Sequence, residues 1–296
     1  MQVSPFRRAV EWCVEWGLFV AALLSVAVTG GIVFVLVRES IPFFQHVSIV
    51  TFLTDTMWTP LFAEPRYGIL PLLCGTVMTS LIALLVAVPV GTLLAIWLSE
   101  FAPPAFREST KPLIELLAAI PTVVYGYFAL LLVTPFLQRL IPELPTFNML
   151  GPGLVMGLMI VPYVSSLSED ALRAVPMGLR EASYAMGANR IVTAFRVVYP
   201  AAFSGILSAY VLAVSRAIGE TMIVAIAAGQ QPNLTFDPRD PAATITAYIV
   251  QVSQGDLPHE SIGYQSIFAA GMTLFLFTLV FNILSAMLRR RYREAY

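Results

Sequence analysis

The chain has 296 residues, of which 58% are hydrophobic and 12% charged, with a formal net charge of −1. That balance excludes a soluble domain with a fully solvated surface, and no basic patch for nucleic acid stands out. The solvent of most of this chain is therefore read as lipid.

A bilayer core of about 30 Å needs about 20 apolar helical residues to cross it. Six runs answer to that length, at residues 17–37, 69–98, 112–137, 151–167, 200–228 and 262–288. Each is continuously apolar, whereas a lipid-facing barrel strand would alternate, so the spans are read as helices. The predicted fold class is all-α integral membrane, a single domain over residues 1–296, because no repeat or low-complexity linker interrupts it.

The first run follows Arg7 and Arg8. A charged leader also precedes a secretory signal, but this run exceeds the roughly 7–15 residues of a signal core and is read as a retained helix. Residues 38–68 follow as a long segment with Phe43, Phe44 and Trp58, aromatics suited to a membrane interface, and the turn Trp58-Thr59-Pro60. A second long segment, residues 229–261, contains Pro232-Asn233, and both are expected to hold short interfacial helices. Residues 138–150 form a short connection. Pro71, Pro89, Pro121 and Pro162 fall inside or at the ends of spans. Each removes a backbone donor and favours a kink, and since breaks are tolerated only against protein or water, together they predict a cavity.

Residues 170–199, between the fourth and fifth spans, are polar enough to leave the membrane yet carry a helical pattern. Pro176 suits a first turn, Leu179, Ala182, Ala185 and Met186 share one face, and Gly187 stops the helix. An apolar stripe without a core of its own fits a partner's groove. Lipid headgroups are an equal alternative, which Arg180, Arg190 and Arg196 also favour.

The fifth span holds Arg216 and Glu220. Charges near mid-membrane cost about 2.5–3.5 kcal/mol each on insertion scales, and a spacing of four lets guanidinium and carboxylate meet on one helical face. The pair is either a structural ion pair, including a staple to a partner subunit, or a gate and anion-handling element on a translocation path. An Arg fork matches two oxygens of a phosphate.

With both termini inside, Arg7, Arg8, Arg107, Lys111, Arg173, Arg180, Arg190, Arg196, Arg289, Arg290, Arg291 and Arg293 fall on the cytoplasmic side, leaving only Arg38, Arg66, Arg139 and Arg239 outside. There is no phosphate-cradling G-x-x-x-x-G-K-[ST] loop, and Lys111 is the sole lysine. His46 and His259 lie in outer segments far in sequence from Cys13 and Cys74, so neither a metal site nor a redox pair is expected, and no nucleophile with its base is evident.

Several blocks carry a family resemblance. Glu181-Ala182-Ser183-Tyr184-Ala185-Met186-Gly187, followed by Val198-Tyr199-Pro200, resembles the EAA loop of ABC importer permeases, with Ser183 in place of the usual third alanine and Tyr199 in place of leucine. Ser215-Arg216-Ala217-Ile218-Gly219-Glu220-Thr221-Met222 resembles the phosphate-specific permeases, and its Glu-Thr-Met ending is similar to the C-type subunit; the A-type continues with Ala-Pro after the Thr. Gly68-Ile69-Leu70-Pro71-Leu72-Leu73, Ser99-Glu100-Phe101-Ala102-Pro103 and the block from Glu115 to Gly126 are similar to the same family in the same order. In the last block Ala119 and Thr122 stand where glycine and serine are more usual. The resemblance covers residues 68–222 approximately.

It implies the six-helix type I (MetI-like) permease fold in a bacterial inner membrane, with the 170–199 loop carrying a coupling helix. Glu181, Ala182, Ser183, Gly187 and Pro200 would be the residues that meet an ATPase, and Arg216 and Glu220 would line the pathway or its gate. The implied partners are an A-type phosphate permease in a heterodimer, two ATPase subunits and an extracytoplasmic phosphate-binding protein. The chain itself would be no enzyme and would bind no cofactor; ATP and Mg would be used by the ATPase. A permease for another oxyanion, such as sulfate, molybdate or phosphonate, is the near alternative, and an ion-coupled secondary carrier the more distant one.

Overall fold

The computed structural model describes residues 5–291 apart from 61, 63, 256, 259 and 260, with side chains described from 11 to 288. Arg293 and His259 therefore lie outside the described residues, as do the side chains of Arg7, Arg8, Arg289, Arg290 and Arg291. The described chain is helical nearly throughout. Five helices are long and apolar enough to cross a membrane, and a sixth crossing is made if one bent pair counts as a single span.

The first helix, α1 (Pro5–His46), extends well past the apolar run that signals it. None of its most apolar window is buried, as suits a helix wrapped by lipid. A short helix α2 (Ile49–Thr54) leads to α3 (Leu70–Phe101). Pro71 falls in the first turn of α3, where its missing N–H is no loss. The last turn of α3, Trp97–Phe101, widens into a π-turn before Pro103 ends it.

The third apolar run is not one helix. An amphipathic helix α4 (Pro104–Ala119) with no buried residue precedes α5 (Thr122–Leu140), and Ile120 and Pro121 between them are extended, with ψ of 130° and 135°. Proline both lacks the donor needed to continue a helix and pushes its predecessor out of the helical region. The expectation of a single span at 112–137 is corrected accordingly, since apolar content runs across the break unaltered. Pro89 and Pro162, by contrast, sit inside helices that continue through them.

After α6 (Leu150–Arg173) come α7 (Met177–Ala185) and a bent pair, α8 (Arg190–Ala201) and α9 (Phe203–Ile218), whose axes differ by 72°. A further break separates α9 from α10 (Met222–Ala227), so the run at 200–228 is also corrected: it holds a bend and a gap. The helix α11 (Ile245–Ser253) and the final span α12 (Ile262–Arg291) complete the chain.

Lipid gives helices no hydrophobic reason to associate, so close approach of backbones must supply the attraction. The pairing of α3 with α6 does this through glycine. A Cβ added at Gly153 would lie 2.7 Å from Ile82, one at Gly157 2.8 Å from Val86, and one at Gly91 2.7 Å from Val164. Around that seam Ala83, Ala87, Met156, Met159, Ile160, Ala213 and Ala217 are buried, bringing α9 onto the same core. Near the start of α3, edge-to-face aromatic contacts join Phe43, Phe52, Trp58, Tyr67 and Tyr248. Phe43 and Trp58, expected at a lipid interface, are instead buried in this cluster.

Candidate functional site

Arg216 and Glu220 meet, but across a helix break and not along one helical face. Arg216 occupies the last turn of α9, where the negative end of the helix dipole favours a cation. The helix stops at Ile218, and Glu220 follows in the gap. Its Oε1 accepts from the backbone N–H groups of Met222 (3.1 Å) and Ile223 (3.4 Å), so the carboxylate caps the first turn of α10. The broken span thus presents two opposite helix ends, and the two charges complement them.

Glu220 is further fixed through its backbone. Its carbonyl accepts from Thr246 Oγ1 at 2.7 Å, Thr246 lies 3.1 Å from the Thr244 hydroxyl, and Thr244 caps α11 by accepting from Ala247 N at 3.2 Å. The N–H of Ile245 donates to Thr76 of α3 at 3.1 Å. A line of buried threonines therefore carries the position of Glu220 to α3 and α11. None of these threonines stood out in the sequence, because hydroxyls satisfied at helix ends leave no periodic trace.

Arg216 is held more loosely. Its Nη1 stands 3.4 Å from Glu220 Oε2, and its only other contact of note is Nη2 at 3.9 Å from the Met159 sulfur. The Arg216 side chain is 36% exposed while that of Glu220 is 2% exposed. A guanidinium offers five N–H donors in a planar fork, so most of this fork is unspent on the described residues. Chemically the site can take an anion with two or more oxygens, with Glu220 neutralising the arginine when none is present.

At the other end of α6, the structure builds α7 as a clamped helix with one free side. Pro176 stands just before its first residue. Gly187, at φ +83°, ends it: Gly187 N donates to Tyr184 O at 2.9 Å and Ala188 N to Ser183 O at 3.2 Å, a closure that needs a left-handed residue. Ala182, Ala185 and Met186 of the expected stripe are exposed, as is Glu181, whereas Leu179 is partly buried. Ser183 Oγ lies 2.9 Å from Thr193 Oγ1 and fastens α7 to α8. Pro200 lies beside the bend between α8 and α9.

Arg180 differs from the expectation that it suits a headgroup layer. It is buried and paired with Glu100 Oε1 at 2.9 Å. These residues are eighty positions apart, and the only sequence signal was that each is a charge beside an apolar run. A second charged group sits close by, where Lys111 Nζ donates to Glu169 at 2.6 Å and Asp170 at 2.7 Å, tying α4 to α6. Desolvation pulls the Lys111 pKa down, but its bonds to Asp170 and Glu169 outweigh this and leave it above the ordinary lysine value.

A lipid-embedded bundle with a discontinuous span, a charge pair at the break and an exposed loop helix defines a membrane transport component. Residues 87–294 match the family of binding-protein-dependent transport system inner membrane components, and the chain belongs to that family, the permeases of ABC importers. It is 36% identical to the probable ABC transporter permease protein YqgH of Bacillus subtilis, over 81% of this chain and 79% of that one. It is 34% identical to the phosphate transport system permease protein PstC of Mesorhizobium japonicum, over 91% and 87% of the two chains. Among solved structures, a bacterial ABC transporter involved in import of the acidic polysaccharide alginate superposes with a TM-score of 0.65 at 16% identity, covering 97% of this chain and 100% of that one. The MetNI methionine ABC transporter in an inward-facing conformation gives 0.57 at 16% identity, covering 77% and 95%. Those likenesses confirm the type I importer permease fold.

Proposed function

We propose that this chain is the C-type permease of a phosphate importer, forming half of a translocation path with an A-type permease. Two ATPase subunits dock at the α7 end, which faces the cytoplasm together with both termini, and a phosphate-binding protein delivers from the opposite side. The observation that carries this reading is the partly exposed Arg216 fork beside a buried, neutralising Glu220, on a chain whose relatives include phosphate transport system permeases. ATP and Mg are used by the ATPase, and this chain binds neither. Movement of α7 with nucleotide turnover alternates access to the Arg216 break from one side and then the other.

The free side of α7 supports the ATPase contact. Glu181, Ala182 and Met186 are exposed, with Met186 at 88%, while the opposite side is clamped to the bundle. Co-purification with the second permease and an ATPase, followed by measurement of ATP hydrolysis with phosphate-loaded binding protein, tests the assignment. Phosphate should stimulate hydrolysis where sulfate and molybdate do not. Stimulation by one of those anions instead would move the assignment to another oxyanion, and absence of an ATPase from the purified complex would reject it. Met186→Glu should weaken ATPase association by about tenfold without altering the stability of the permease, because that side chain touches little of its own fold.

A further inference from the structure

The geometry points to a second role for a buried arginine: we propose that Arg180 and Glu100 form the rigid strut that makes α7 move as one body with α3 and α6. This rests on the reading that α7 meets an ATPase. Arg180 spends four of its five donors. Nη1 donates to the Val175 carbonyl at 2.6 Å, Nη2 to the Leu172 carbonyl at 2.9 Å and to Glu100 Oε1 at 2.9 Å, and Nε reaches Glu100 Oε2 at 3.4 Å. One side chain of α7 thereby caps the end of α6 and grips the end of α3. Its side chain is 11% exposed and that of Glu100 6%.

Glu100 reaches this position because α3 ends in a π-turn. Widening the last turn, Trp97–Phe101, shifts the register so that residue 100 points at α7, and Ser99 Oγ donates to Glu100 Oε1 at 3.0 Å to hold the carboxylate. Phe101 in the same turn lies under the Arg190 guanidinium, 5.3 Å from ring centroid to cation, which ties α8 to the same point. Since α3 and α6 interlock at Gly91, Gly153 and Gly157, a push on α7 passes to a packed helix pair, and Thr76 of α3 joins that pair to the segment that holds Glu220. A helix carrying the exposed Glu181 face but held by backbone contacts alone would swivel under load; a forked arginine with fixed acceptors on two helices does not.

Arg180 and Glu100 are thus positioning residues for transmission, and the readout is phosphate moved per ATP hydrolysed by the reconstituted complex with its ATPase. Glu100→Gln keeps the shape and one acceptor, so the carbonyl caps by Arg180 survive. It should lower that ratio by about tenfold, the factor associated with one charge-assisted hydrogen bond, while ATP hydrolysis per complex continues. Glu100→Asp, which keeps the charge, should restore most of the ratio. An unchanged ratio in Glu100→Gln would overturn the proposal, since a merely structural pair changes the yield of complex and not its coupling. A measurement that needs no variant of the pair uses spin labels at Gly178→Cys, an open position on α7, and Leu93→Cys, an exposed position on α3, in a background with Cys13 and Cys74 replaced by serine. Their separation should be the same in nucleotide-free and ATP-bound complexes, and a nucleotide-dependent change would overturn the strut. Failure of the wild-type chain to bind any ATPase would instead reject the functional reading beneath it, and that is seen before any variant is compared.

Discussion

Two arginine–glutamate pairs in this chain have the same chemistry and opposite accounting. Arg180 is enclosed and directs four of its five donors at two carboxylate oxygens and two carbonyls. Arg216 is a third exposed, stands 3.4 Å from its glutamate and leaves most of its fork unused. The difference lies in the acceptors the backbone provides. Arg180 faces the end of α6, where the Leu172 and Val175 carbonyls accept from it, whereas Glu220 gives its Oε1 to two N–H groups of α10 and leaves Oε2 3.4 Å from Arg216 without a hydrogen bond among the described residues. A largely satisfied arginine suits a fastener, and one with most of its donors unused suits the anion-handling role proposed for Arg216.

The comparison breaks most visibly if Arg216 turns out to be dispensable. Arg216→Gln and Glu220→Gln should each reduce phosphate uptake by about a hundredfold, the scale for losing one partner of a buried charge pair, with the complex assembled in normal amount. Near-normal uptake in both variants would make the pair a structural staple. A sharper cut comes from Arg216→Lys, which keeps the charge but not the fork. We expect about a tenfold loss in apparent phosphate affinity, because a point charge cannot hold two oxygens in fixed geometry.

The seam that holds both pairs in place can be loosened without touching either. A Cβ on residue 157 comes within 2.8 Å of Val86 and 2.9 Å of the Ala83 carbonyl, so Gly157→Val should cost about 1–3 kcal/mol of stability in detergent melts. A smaller effect is expected from a third pair, on the surface. Between α10 and α11 Arg239 Nε lies 3.0 Å from both Asp237 oxygens, and these bonds hold the Asp237 carboxyl down at about 2. A lowered carboxylate pKa stabilises the folded loop above the ordinary value of 3.8, and the contribution disappears as pH falls from there toward about 2. Hydrogen exchange of residues 237–240 should therefore be flat between pH 7 and pH 5 once corrected for intrinsic rates, and lose protection only below pH 4. Asp237→Asn should remove that acid dependence and leave uptake unchanged.

The sequence carried the helical class and the number of apolar runs because hydropathy is a one-dimensional property that lipid imposes directly. It did not carry direction. Apolar residues flank Ile120–Pro121 on both sides, and Gly219–Thr221 is too short to end an apolar run, so neither break divides the average that marks a span. Pro121 was visible as a breaker, yet Pro89 and Pro162 carry the same letter within helices that run on. Arg216 and Glu220 were legible since a charge inside an apolar run is costly wherever the helix ends. The Arg180–Glu100 pair was not, because charges at the edge of a run are ordinary and a contact eighty residues apart has no local signature. The aromatic cluster of Phe43 and Trp58 was misassigned for a related reason: an aromatic near a span end suits an interface or a core equally, and only the tertiary fold decides.

Uptake of labelled phosphate into vesicles holding this chain and the proposed A-type partner, with and without the ATPase, is the most direct measurement. Uptake should require the ATPase, ATP and the loaded binding protein together, and should vanish with Arg216→Gln. Phosphate entering vesicles that contain the permease pair alone would contradict an ATP-driven path through the Arg216 break.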